Sequence, residues 1–201
     1  ELELEFPAMK TLEHLGDLQL RLFEDYNQVE PLVDTTQGVG KQLYKAEIHG
    51  QPVVLKGYMN VGSRAQFERE IKALSLLKHA NIIVATGVTK KSTADSVIFF
   101  IELEYCNGGS LSQWLAQSDP APPQWLVRKV LRDVLLALRH VHGVRVGPPP
   151  GEPIVHRDIK PSNILVDVDR RRGVLADFDI ARASTGTTTL AMAAGTEPFI
   201  A

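Results

Sequence analysis

The lysine that ends the apolar run Val53-Val54-Leu55-Lys56 constrains this chain more than any other residue. An ammonium carried into a packed interior is costly unless an anion meets it there. The next segment supplies one. Its apolar residues Phe67, Ile71, Leu74 and Leu77 recur at helical spacing. At about 100° per residue, Glu70 falls between Leu74 and Leu77 on that same inward stripe. A buried cation on a strand and a buried anion on the following helix satisfy each other only if the helix packs across the strand. Lys56 and Glu70 are thus able to satisfy each other across a strand–helix unit.

The flanking elements follow from turn signals. His49-Gly50-Gln51 separates two β-type runs, 43–48 and 52–58, and reads as a hairpin. Ser63 is the expected N-cap of a helix over 64–78, and two more strands are expected near 82–88 and 97–103. Asn107-Gly108-Gly109 breaks the chain, after which the pattern turns helical: a short helix over 111–117, then a long, buried one over 124–142. The stretch Gly147-Pro148-Pro149-Pro150-Gly151 cannot be helical, since proline lacks the amide and clashes with the preceding turn. Upstream, Leu12, Leu15, Leu18 and Leu22 suggest an amphipathic helix in the first 28 residues. The reading is thus a flanking segment 1–27, a β-rich lobe 28–106 and a helical lobe 107–201 around a cleft.

Composition narrows the class. The net charge of -2 gives no pull toward nucleic acid or an anionic membrane. No apolar run reaches the roughly 20 residues of a membrane helix. Cys106 is the single cysteine, so no internal disulfide can form, and a reducing, cytoplasmic compartment is expected. The chain starts at Glu1 and stops at Phe199-Ile200-Ala201, and is expected to be a piece of a longer protein, poorly stable and weakly active alone.

Two polar clusters carry the chemistry. Val155-His156-Arg157-Asp158-Ile159-Lys160-Pro161-Ser162-Asn163-Ile164-Leu165 sets a polar loop between apolar pairs, and Ala176-Asp177-Phe178-Asp179 places a carboxylate directly after an apolar strand. Phosphoryl transfer from a nucleotide needs such groups: a carboxylate to orient the attacking hydroxyl, oxygen ligands for a metal, and a cation to offset moving charge.

These segments resemble the protein kinase family, serine/threonine type, and the resemblance runs over about 28–201. It implies an α+β, bilobal fold: a five-stranded antiparallel sheet with one helix, then a partial helical lobe. It also implies ATP and Mg²⁺ as cofactors and proteins as substrates. By the family pattern Asp158 and Lys160 are catalytic, and Asn163 and Asp177 hold the metal. Lys56, Glu70, Gly38, Glu104 and Cys106 bind ATP, the last two through the backbone of a hinge 102–111, with Leu103 lining the pocket. His156 and Arg157 hold the loop, and Ser184, Thr185, Thr187, Thr188 and Thr189 offer phosphorylation sites that would pair with Arg157. Two departures stand out. Only Gly38 of the phosphate-covering glycines is in register, with Thr36 and Lys41 where glycines are usual, and Asp179 replaces a glycine. They favour the rival class, a pseudokinase that binds ATP and signals as a scaffold. Elsewhere, Arg132 and Asp133 are expected on an exposed helix face, Arg170-Arg171-Arg172-Gly173 as a solvated turn, and Cys106 as a small hinge residue rather than a nucleophile.

Overall fold

In the computed structural model the residues described are 18–32, 41–59, 61–93 and 96–183. Strands β1 (Gln19–Leu20), β2 (Asn27–Pro31), β3 (Lys41–Ile48) and β4 (Gln51–Tyr58) come first, followed by helix α1 (Val61–Leu76). Strands β5 (Ala85–Ser92) and β6 (Val97–Glu104) complete the sheet half. Helices α2 (Leu111–Gln117) and α3 (Gln124–Gly143) then lead to β7 (Arg145–Val146), β8 (Glu152–Val155), β9 (Ile164–Asp167), β10 (Arg172–Leu175) and β11 (Arg182–Ala183). This is the expected α+β arrangement of a sheet with one helix followed by a partial helical half.

Among the described residues the sheet has six strands, not five, in the order β1-β5-β6-β4-β3-β2. The addition is β1, which pairs parallel with β5 (Gln19 opposite Gly87), while all other pairs in this sheet are antiparallel. Over 18–28 this strand and a 3₁₀ turn at Phe23–Asp25 stand where a helix was expected; residues 1–17, with Leu12 and Leu15, lie outside the described residues. The cause is side-chain chemistry just after β1. Arg21 pairs with the buried Glu102 of β6 at 2.9 Å and Tyr26 donates to the same carboxylate at 2.6 Å, drawing the segment along the sheet edge.

The β3–β4 hairpin forms as expected. His49 and Gly50 both take positive φ (50° and 74°), the backbone that a two-residue type I′ turn requires. Helix α1 begins at Val61, so Ser63 sits inside it rather than capping it. The capping-box signal does appear at α2, where the Ser110 hydroxyl accepts from the Gln113 amide at 3.2 Å.

Alternation along β4 and β6 divides the sheet into two faces. Val53, Leu55 and Phe100 pack with Tyr26, Ala46 and Ile48 on one. On the other, Tyr58 and Ile101 join Phe67, Ile71 and Leu74 of α1 and run on into Ala137, Val141, Leu175 and Phe178. One apolar core therefore spans both halves.

Helix α3 differs from expectation in being two-faced. Val130, Val134, Ala137 and Val141 are buried, but Leu131 and Leu135 are exposed. Asp133 is buried rather than solvated: its Oδ2 accepts from Lys129 at 2.7 Å and from the Gly173 amide at 3.0 Å. The Gly173 carbonyl in turn accepts from Asn81 Nδ2 at 2.9 Å, so β10 is held from both sides. A Cβ on Gly173 would lie 2.8 Å from the Val130 carbonyl oxygen. Gly173→Ala should therefore force β10 off α3 and cost about 1–3 kcal/mol of stability, read as a lower urea midpoint with unchanged m-value.

Candidate active site

Lys56 lies on the inward face of β4, directly opposite Ile101 of β6. Its Nζ stands 2.6 Å from Glu70 Oε2 on α1 and 2.7 Å from Asp177 Oδ1. Glu70 is fully buried on the stripe that the sequence places it on. Burial alone would pull the Lys56 ammonium down, but Glu70, then Asp177 and Asp179, hold it well above its ordinary value. It stays charged. The two carboxylates come from widely separated parts of the chain, and the cation between them ties α1 to the loop after β10.

That loop is tied in turn to the loop after β8. The His156 Nε2–H donates to the Ala176 carbonyl at 2.9 Å, and its Nδ1 accepts from the Asp158 amide at 3.3 Å. Both bonds are made by the neutral ring, which also meets Phe178 edge-on at 4.6 Å. Asn163, at the end of a 3₁₀ turn over Pro161–Asn163, donates from Nδ2 to Asp158 O at 2.9 Å and to Asp158 Oδ2 at 2.8 Å. Lys160 Nζ approaches the same Oδ2 at 2.8 Å. The Asn163 carbonyl accepts from the Ala176 amide at 2.9 Å, which sets Asn163 beside Asp177. Arg157 and Asp177 both hold positive φ (73° and 67°), a strained backbone for residues with a Cβ and one that clusters at functional loops.

Lys56, Glu70 and Asp177 thus meet, and Asp158, Lys160 and Asn163 form an adjoining group. Gly38 lies outside the described residues, as do Thr36, the hydroxyl run from Ser184 to Thr189, and the end of the chain. At the hinge, the Glu104 amide donates to Val84 O at 3.0 Å and the Cys106 carbonyl accepts from Gly109 at 3.2 Å. Burial, with Glu104 adding, pushes the Cys106 thiol up to about 12, which suits an inert packing residue. Asp179 is buried, and Arg69 Nε donates to its carbonyl at 3.0 Å.

Three features escaped the sequence reading. Tyr58 donates to Glu70, a contact foreshadowed by its position two residues after Lys56 on one strand. The Glu104 side chain accepts from Arg170 at 3.0 Å and from Arg172. Arg172 also donates to Asp167 at 3.2 Å and to Ala80 O at 2.5 Å, so the expected solvated turn contributes a clasp behind the hinge. No pattern in the sequence marks that clasp, because Glu104 and Arg172 are joined only by folding.

Asp177 and Asn163 carry oxygen donors of the hard type that suits Mg²⁺ when phosphates complete its shell. Among the described residues no three His, Cys, Asp or Glu side chains are grouped to hold a metal by themselves.

Burial lowers the His156 pKa below 6.5, outweighing the Ala176 carbonyl and the nearby carboxylates, and His79 moves the same way. A depressed folded-state pKa stabilises above the unfolded value and is lost as pH falls through the folded one. Stability should therefore decline from pH 7.5 to 5.5, by at most about 1.4 kcal/mol per pH unit from the buried His156 and by less from the more solvated His79. Urea melts across that range should show a shallower slope in His156→Gln.

Comparison with known sequences agrees with this geometry. Residues 38–201 match the model of the protein kinase domain. A probable LRR receptor-like serine/threonine-protein kinase, RPK1, of Arabidopsis thaliana is 32% identical over 69% of this chain and 25% of its own length. Mitogen-activated protein kinase kinase kinase 5 of Arabidopsis thaliana is 37% identical over 60% of this chain and 15% of its own. LysM domain receptor-like kinase 10 of Oryza sativa subsp. japonica is 32% identical over 73% and 22%. The chain spans about a quarter or less of the length of these relatives. With the matched region covering most of the sequence, the chain belongs to the protein kinase family.

Proposed function

We propose that this chain is the catalytic part of an ATP-dependent protein serine/threonine kinase, transferring the γ-phosphoryl group of Mg-ATP to Ser or Thr hydroxyls of proteins. The observation that carries the reading is Lys56 held between Glu70 and Asp177. A cation kept charged and aimed by two carboxylates is positioned to meet phosphate oxygens, and Glu70 fixes it there. Asp177 and Asn163 would hold the magnesium ion, which when bound neutralises charge on the phosphates.

Asp158 would orient a substrate hydroxyl and take its proton. Asn163 Nδ2 donates once to the Asp158 carboxylate and once to its backbone carbonyl, and the neutral His156 accepts from the Asp158 amide, so the carboxylate and the backbone that carries it are both held. Lys160, bonded to that carboxylate at 2.8 Å, supplies positive charge where the phosphoryl group would pass. The backbone of 104–106 would receive the adenine, and Gly38 would cover the phosphates. The choice of Ser and Thr rests on Lys160, which lies two residues after Asp158, and on the likeness to the receptor-like serine/threonine-protein kinase of Arabidopsis thaliana. An intracellular site of action belongs to the same proposal; among the described residues no helix is long and apolar enough to cross a membrane.

A second reading has one observation in its favour. Asp179 adds a buried carboxylate beside Asp177, which could leave an ATP-binding scaffold without turnover. Asp158→Asn separates the two. For a kinase, the variant should lose about 10²–10⁴-fold in kcat while its thermal shift with Mg-ATP stays that of the wild type. Wild-type protein that shifts with Mg-ATP but transfers no phosphate to Ser or Thr would establish the scaffold instead.

A further inference from the structure

Lys56 and Tyr58 alternate with Gly57 along β4 and so share its inward face. Tyr58 is 1% exposed, and its hydroxyl donates to Glu70 Oε2, the same oxygen that accepts from Lys56 at 2.6 Å. Its ring meets Phe67 edge-on at 5.5 Å, and Phe67 packs in turn on Phe99 at 5.6 Å. Phe67 and Glu70 are three residues apart, hence neighbours on one helical turn. Both ends of the Tyr58 side chain therefore grip the same turn of α1.

The other Glu70 oxygen, Oε1, is buried and has no hydrogen-bond partner among the described residues. Without the phenol, this carboxylate would depend on Lys56 alone, and Lys56 is shared with Asp177. A cation that must also serve phosphate oxygens is an unsteady sole partner for a buried anion. A neutral donor with no other task is a steady one. Burial, with Glu70 adding and Lys56 opposing, keeps the Tyr58 phenol well above its ordinary value, so it remains a donor across the physiological range.

We propose that Tyr58 is a positioning residue of the phosphotransfer site, holding Glu70 against Lys56 before any nucleotide arrives. This rests on the kinase reading above. Tyr58 touches neither substrate nor phosphate; it acts through Glu70, with the hydroxyl setting the carboxylate and the ring seating the helix. The bland alternative is a core aromatic whose hydroxyl is incidental.

Tyr58→Phe in the full chain separates them, since it keeps the ring on Phe67 and deletes only the hydroxyl. The expected result is a drop of about tenfold in kcat/KM for ATP, the worth of one hydrogen bond to a charged group. KM for the protein substrate should not move, and in a Glu70→Gln background Tyr58→Phe should add no further loss. Hydrogen exchange without nucleotide should quicken in α1 and stay unchanged in α3, whereas general destabilisation would quicken both. Wild-type kinetics in Tyr58→Phe, or an equal loss with and without Glu70, would overturn the proposal. If the wild type transfers no phosphate, the kinase reading falls, and the α1-against-α3 exchange contrast alone decides whether Tyr58 sets the helix.

Discussion

The buried ammonium of Lys56 is the point on which the structure turns. Its two partners sit on different elements: Glu70 on the helix that covers the sheet, Asp177 on the loop that leaves β10. Removing Lys56 would leave the buried Glu70 carboxylate without its counter-ion in a low-dielectric interior, a far larger loss than a surface pair would suffer. The pair thus couples three segments whose relative placement no local propensity could set. The apolar core does the same in parallel, running from Tyr58 and Phe67 through Ile101 to Val141 and Phe178. Hydrophobic burial brings the halves together without direction, and the ion pairs give the contact its register.

Around that centre the polar groups are held mostly by backbone. His156 bonds a carbonyl and an amide from two different loops, and Asn163 binds Asp158 through its side chain and Ala176 through its carbonyl. The strained backbones of Arg157 and Asp177 are tolerated because these bonds over-determine them. β10, which delivers Asp177, is itself anchored by Asp133 from α3 and by Asn81 ahead of β5. A chemical group at the end of such a strand inherits the rigidity of everything that pins it.

Much of this was readable in advance, for reasons that can be named. The β3–β4 hairpin, α1, α2 and α3 follow from turn residues and from periods of two and 3.6, which are local properties. The Lys56–Glu70 pair was readable because a charge on an apolar stripe has few ways to be satisfied. The misreadings share a cause as well. Asp133 and Arg172 look like surface charges when judged by neighbours in sequence, yet each is bonded across more than one element. The segment around β1 was read as helical because Leu12, Leu15, Leu18 and Leu22 keep helical spacing, while the forces that lay β1 on β5 come from Glu102, far along the chain.

Residue types and spacing alone therefore pointed to the family, to the elements from β3 through α3, and to polar side chains that the fold does bring together. Folding alone decided how those side chains are steadied: the Tyr58 hydroxyl on Glu70, the Asp133 carboxylate under Gly173, and the arginine clasp on Glu104. The physical reason is that periodicity reports which side of an element is buried, whereas a hydrogen bond depends on which distant group comes within about 3 Å of it. Only packing in three dimensions sets that distance.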